Sequence, residues 1–164
     1  MPAVILLRHA KSDWDADYGS DDRDRPLNKR GRAAAATIGR LLASSGNVPT
    51  EAITSPATRA LETLHLAMEA GGWSCPVEPR PVLYGASASE VVAELRRRPD
   101  TTDVLLVVGH EPTTSDTASV LTGGGRLRVA TATVLRIEFD AGRWADVAPG
   151  GGTLAWLVPP RLLG

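Results

Sequence analysis

Ala3-Val4-Ile5-Leu6-Leu7 is an unbroken apolar run that stops abruptly at Arg8-His9. A strand with one wet face alternates apolar and polar positions; a run without alternation has both faces covered, as in a parallel sheet flanked by helices. Asp103-Val104-Leu105-Leu106-Val107-Val108 repeats the pattern and ends in Gly109-His110, and the shorter strand Glu51-Ala52-Ile53-Thr54 ends in Ser55-Pro56-Ala57-Thr58-Arg59. Between these strands the period lengthens to that of a helix. Over Lys29–Ser45 the residues Ala34, Ile38, Leu41 and Leu42 fall on one face, Asn28 stands where a cap is needed and Gly46 closes the segment. A second helix is expected directly after Thr54, with Ser55 as its N-cap, Pro56 at its first position, Leu61, Leu64 and Met68 inward, and Gly71-Gly72 at its end. Ser87-x-x-Glu90 is a capping box that opens a third helix with Ala88, Val91, Val92 and Leu95 inward, and a fourth runs from Thr113 to about Leu121. The prolines at 76, 79 and 81 confine Val77–Val82 to an edge strand or an extended linker. Thr131–Phe139, Trp144–Val147 and Thr153–Val158 read as closing strands, with a hairpin turn at Asp140-Ala141-Gly142. Strands alternating with helices predict a three-layer α/β/α sandwich with a mostly parallel central sheet, as one domain over residues 1–164.

Composition narrows the class of function more than it names one. The chain has 164 residues, 43% hydrophobic and 23% charged, with a formal charge of −1, so no basic footprint suggests a nucleic-acid partner. A single cysteine, Cys75, excludes an internal disulfide and a multi-thiolate metal site and suits a reducing, cytoplasmic setting. The first apolar run breaks at Arg8, too short for a membrane span. No exposed heptad asks for a second chain, so a monomer is expected.

Ser12 to Arg25 carries six aspartates and no hydrophobic period, which makes it a loop. Asp13-x-Asp15-x-Asp17 imitates a calcium loop, but Tyr18 stands where the sharp turn needs glycine, and Asp24 replaces the bidentate glutamate. A solvated acidic loop is the stronger reading. Arg96-Arg97-Arg98 reads as a solvated helix end, His65 as structural or surface, and Cys75 as an inert thiol.

The polar ends of the three apolar strands are the sequence's chemical signal. In a parallel sheet they lie at one edge, which gathers Arg8, His9, Arg59 and His110. Two guanidinium forks suit a phosphoryl group, and a neutral imidazole beside them is a nucleophile able to take it. The residues Leu7-Arg8-His9-Ala10-Lys11-Ser12, Arg25-Pro26-Leu27-Asn28 with Gly31, Ser55-Pro56-x-x-Arg59-Ala60-x-x-Thr63, Leu83-Tyr84 and Val108-Gly109-His110-Glu111-Pro112 resemble, in order, the histidine phosphatase superfamily. Within it they are similar to the small SixA-type phosphohistidine phosphatases. The resemblance implies a phosphoglycerate mutase-like fold and a metal-independent hydrolase without a cofactor. It makes His9 the nucleophile, with Arg8 and Arg59 on the phosphoryl oxygens and His110 completing the catalytic set. Arg25 and Ser55 are further candidates for binding the phosphate or lining its entrance.

Two departures from the superfamily pattern bear on the substrate. Arg-His-Gly is Arg-His-Ala here, and the chain between Gly72 and Val104 has little room for the insertion that carries a general-acid glutamate in larger members. An alkoxide leaving group profits from a positioned acid; an imidazole needs less help. The substrate expected is therefore phosphohistidine in a protein. The alternatives are a phosphomonoesterase acting on a small phosphorylated metabolite and a phosphate-binding module without turnover.

Overall fold

The computed structural model describes residues 1–164, in which six strands form one sheet. They are β1 (Ala3–Arg8), β2 (Glu51–Thr54), β3 (Val77–Pro79), β4 (Val104–Gly109), β5 (Val134–Phe139) and β6 (Gly152–Val158), in the spatial order β3-β2-β4-β1-β5-β6. β3, β2, β4 and β1 are mutually parallel, β5 is antiparallel to β1, and β6 is antiparallel to β5. Only β5 therefore runs against the rest. The helices are α1 (Lys29–Ser44), α2 (Thr58–Gly71), α3 (Ala88–Arg96) and α4 (Thr113–Thr122). None is long and apolar enough to cross a membrane.

The unbroken apolar strands have the reason that the sequence suggested. Val4 and Leu6 of β1 join Leu105 and Val107 of β4 in a core covered by α3 and α4 residues such as Val91, Leu95 and Leu121. Ile5 and Leu7 join Leu106 and Val108 in a second core, on the opposite face, covered by Ile38 and Leu42 of α1 and Leu64 of α2. Both faces of each strand are dry, so every position is apolar. The result is the expected three-layer sandwich.

Several local expectations are corrected. α1 buries Gly31, Ala35, Ile38, Gly39 and Leu42, while Ala34 and Leu41 are only half-buried. The seam is made of small residues because α1 and α2 touch: a Cβ on Gly39 would lie 1.9 Å from the Ala67 carbonyl oxygen. Trp144–Val147 is no strand. Trp144–Asp146 is a 3₁₀ turn that buries the indole against Phe139 and lets its Nε1–H donate to the Thr102 carbonyl at 2.7 Å. The hairpin is formed by β5 and β6, with that turn inside its connection. Arg96-Arg97-Arg98 is not simply solvated. Arg98 is 9% exposed and bridges Glu51 at 2.8 Å and Glu78 at 3.1 Å, while the buried Glu94 carboxylate accepts from Arg80 and Arg97. Val77–Val82 shortens to the edge strand β3, parallel to β2.

Candidate active site

Parallel register brings the polar strand ends together. Arg8 pairs with Gly109 and Thr54 with Val108, so the carboxyl ends of β1, β4 and β2 are level. Two further backbone bonds extend the ladder, from His9 N–H to the Gly109 carbonyl at 2.9 Å and from Ser55 N–H to the Val108 carbonyl at 3.0 Å. His9 and His110 thereby face each other with ring centroids 5.1 Å apart. Ala10, the departure from Arg-His-Gly, is fully buried in the α1–α2 core, and its N–H donates to Thr63 Oγ1 at 2.9 Å. Its methyl group points into packing and leaves the site free.

The protonation of both histidines follows from their surroundings. Burial, reinforced by His110, Arg59 and Arg8, pushes His9 down to about 3. It is neutral at physiological pH, and its Nδ1–H donates to the Ala10 carbonyl at 2.6 Å. The lone pair is thus on Nε2, which has no protein partner. Burial and Arg59 likewise push His110 down to about 4.

Ser55 lies elsewhere than expected. It does not cap α2, which begins at Thr58 after Ala57 and has no side-chain cap bond. The Ser55 side chain is fully buried behind His110, with Oγ 2.7 Å from His110 Nε2. The same Oγ accepts the Ala57 N–H at 3.2 Å, and its own hydrogen has no acceptor except Nε2. Ser55 therefore donates to His110 Nε2, which leaves the ring proton on Nδ1. Ser55 touches the histidine, not the place a substrate would take.

Both arginines of the site show the same deficit. Arg8 donates from Nη1 to the Val129 carbonyl at 3.0 Å, and Arg59 donates from Nη1 and Nη2 to Asp22. In each the buried Nε–H has no partner at all. Buried donors are paired in folded proteins with few exceptions, so two unpartnered guanidinium N–H groups beside one neutral histidine are donors suited to an anion. Burial also lowers the Arg8 pKa from its ordinary value, with Glu111 opposing.

Arg25 forms the outer wall. It is buried, its Nε donates to Ser12 Oγ at 2.9 Å, and its guanidinium lies 3.4 Å from the Trp14 ring centroid. Trp14 itself is 70% exposed, at the mouth. The sequence reading missed Asp22, whose carboxylate bonds Arg25, Arg59 and Tyr84; it was indistinguishable there from the loop's other aspartates. The remaining acidic residues of the loop behave as a solvated segment: Asp13 Oδ1 accepts the Asp15 N–H and Asp21 caps a short 3₁₀ turn. No three His, Cys, Asp or Glu side chains gather as metal ligands. His65 is exposed, and burial raises the Cys75 thiol above its ordinary value.

The family model for the histidine phosphatase superfamily (branch 1) matches residues 4–87. The chain belongs to that superfamily. The uncharacterized protein Rv1276c of Mycobacterium tuberculosis is 38% identical over 94% of this chain and 100% of its own length. A structure from Nakamurella multipartitia, proposed to be the phosphohistidine phosphatase SixA, is 29% identical, with a TM-score of 0.82 over 97% of this chain and 96% of that one. The protein histidine phosphatase SixA solved with tungstate shares the fold at a TM-score of 0.85 and 22% identity, over 99% of both chains. The 2,3-bisphosphoglycerate-dependent phosphoglycerate mutase of Novosphingobium aromaticivorans is 45% identical, over only 44% of this chain and 32% of its own. The superfamily, the phosphoglycerate mutase-like fold and a histidine-based phosphatase all follow from these likenesses and the site.

Proposed function

We propose that this phosphatase works through a phosphohistidine on His9 and that its substrate is itself a phosphohistidine in a protein. The observation that carries the first half is the pair of orphaned arginine Nε–H groups beside a histidine whose only free nitrogen is a lone pair. Arg8 and Arg59 hold the phosphoryl oxygens, His9 Nε2 attacks phosphorus, and the bond to the leaving group breaks. As His9 takes the phosphoryl group its ring becomes cationic, and the Ala10 carbonyl on Nδ1–H supports that charge. Water then attacks the phosphorus, releases inorganic phosphate and regenerates His9. His110, donating from Nδ1, contributes a hydrogen bond to an equatorial oxygen.

The second half rests on the leaving group. The carboxyl groups nearest the site are already engaged. Partial burial works to raise Asp22, but Tyr84, Arg25 and Arg59 hold it below the usual carboxylate range. Glu111 accepts from the Ser115 N–H and hydroxyl, each at 2.7 Å. Neither is poised to give a proton to a departing alkoxide. An imidazole departs without that assistance, so P–N cleavage suits the site better than P–O cleavage. The likeness to the Nakamurella structure supports the same substrate class.

The test compares purified protein on a phosphohistidine-bearing protein and on sugar phosphates. Faster turnover of the phosphohistidine, acid-labile phosphate trapped on His9 and none in His9→Ala are expected. Faster turnover of the sugar phosphates would make the chain a phosphomonoesterase, and a folded sample with no turnover on either would make it a phosphate-binding module.

A further inference from the structure

Asp22 brings a negative charge to a site built for an anion, and the reaction above gives it no task. It opens the 3₁₀ turn Asp22–Asp24 in the loop between β1 and α1, and its side chain is 45% exposed. Despite that exposure it is the most heavily engaged group of the mouth. Its Oδ2 accepts from Arg59 Nη2 and from the Tyr84 hydroxyl, each at 2.9 Å, and its Oδ1 accepts from Arg25 Nη1. Its backbone carbonyl accepts from Arg59 Nη1 at 2.7 Å.

A carboxylate inside an anion site competes with the substrate if it holds the donors the substrate needs, and assists if it holds the others. A guanidinium has two usable edges, one between its terminal nitrogens and one between Nε and the nearer terminal nitrogen. Asp22 takes the first edge with two oxygens, one from its side chain and one from its backbone. The second edge keeps its buried, unpartnered Nε–H. The division is that of a support and not of a rival. Arg25, which shares Asp22, is fixed from its far side by Ser12 and by the Trp14 ring. Tyr84 bonds the same carboxylate while its ring meets His110 edge-on, with centroids 5.6 Å apart.

We infer that Asp22 is a positioning residue, which grips the outer edge of Arg59 so that the Nε edge is presented to a phosphoryl oxygen before substrate arrives. The inference rests on the proposed role of Arg59 as a phosphoryl clamp. An arginine side chain is long and rotamer-rich, and one already held in its binding geometry loses less freedom when the ligand comes. The same grip explains why a residue of an acidic loop is drawn toward a site for phosphate. Its charge meets the guanidinium on the side away from the ligand.

The experiment measures inorganic phosphate binding by calorimetry and phosphoramidate hydrolysis in steady state, for the full chain and for Asp22→Ala and Asp22→Asn. Asp22→Ala is expected to weaken phosphate binding by roughly tenfold, as the loss of a charge-assisted pair would, and to raise KM by a similar factor in protein that circular dichroism shows to be folded at the assay temperature. Asp22→Asn should fall between, because an amide oxygen still accepts from one of the donors. In an Arg59→Lys background Asp22→Ala should change phosphate affinity by less than about twofold, since an ammonium has no second edge to orient. Phosphate binding by Asp22→Ala as tight as, or tighter than, that of the unaltered protein overturns the inference, as does an equal loss in both backgrounds. A protein that binds phosphate without hydrolysing phosphoramidate or phosphohistidine sinks the phosphatase reading instead, and the affinity series still decides the role of Asp22. No phosphate binding at all sinks both.

Discussion

The proposed attack on phosphorus requires a histidine that keeps a lone pair, and the protein arranges the protons of both imidazoles by hydrogen-bond accounting. The Ala10 carbonyl fixes His9 as the Nδ1–H tautomer, and Ser55 fixes His110 in the same form. Ser55→Ala should therefore lower kcat about tenfold, the equivalent of ~1.4 kcal/mol for one directed hydrogen bond, with little change in KM. Nitrogen NMR of the labelled rings is the accompanying measurement: His110 should lose its single tautomer in the variant while His9 keeps its own. Burial and the nearby arginines hold the two rings at about 3 and about 4, so neither should gain a proton until the pH falls well below the usual 6.5. Ring signals followed from pH 8 to 4 would test this, and titration of either near 6.5 would mean a wetter site than the one described. Arg8, His9, Arg59 and His110 were all legible in the sequence, because each ends or follows an apolar strand. Ser55 was legible as a helix start and as a candidate for the phosphate, not as a partner of His110. Its true partner lies on another strand, and nothing in the run Ser55-Pro56 announces that.

The elements depend on two close contacts that local pattern could not reveal. α1 meets α2 backbone to backbone at Gly39, where a methyl group would lie 1.9 Å from the Ala67 carbonyl oxygen. Gly39→Ala should cost about 1–3 kcal/mol, although alanine is the better helix former, because one helix must shift to admit the methyl group. Urea unfolding monitored by circular dichroism measures it; a neutral or stabilising result would place the helices further apart than this. The face of α1 was read only in part for the same reason: an apolar periodicity counts large residues and finds the buried Ile38 and Leu42, but not Gly39 packed on α2 or Gly31 packed on the Lys11 backbone. On the opposite face of the sheet, α3 is held by Glu94, buried among Arg80, Arg97 and Arg98. Glu94→Ala leaves Arg98 with less compensation in a nearly closed setting and should destabilise by about 3 kcal/mol. The turnover of the remaining folded protein should not change, since the network touches no residue of the site. The run of three arginines looked solvated because sequence alone could not show that Glu51, Glu78 and Glu94 converge on it.

On the scale of the whole molecule, the site and the fold are coupled through protons. Both site histidines have folded values below their unfolded one, so the unfolded chain binds more protons between about pH 6.5 and about 3. The stability they permit is complete above about 6.5 and declines as the pH falls through that window. Thermal midpoints recorded from pH 7 to 4 should drop, and His110→Gln should flatten the upper part of the curve; a midpoint insensitive to pH there would contradict the burial of these rings. The layered architecture was legible because both faces of β1 and β4 are covered, which leaves a continuous apolar signature. The strand order was not, since β2 and β1 are separated in space by β4, a strand fifty residues later in the chain than β2. That order has a consequence for synthesis. A ribosome delivers β1 and β2 with their arginines long before β4 exists, and neither can pair with the other directly. Until residue 110 has emerged the nascent chain holds Arg8 and Arg59 on unjoined pieces, with β1 lacking both of its sheet neighbours, β4 and β5. Translation must run past the last histidine before the strand ends can close on one another, so a truncated product that stops short of it lacks both His110 and the strand that joins β1 to β2.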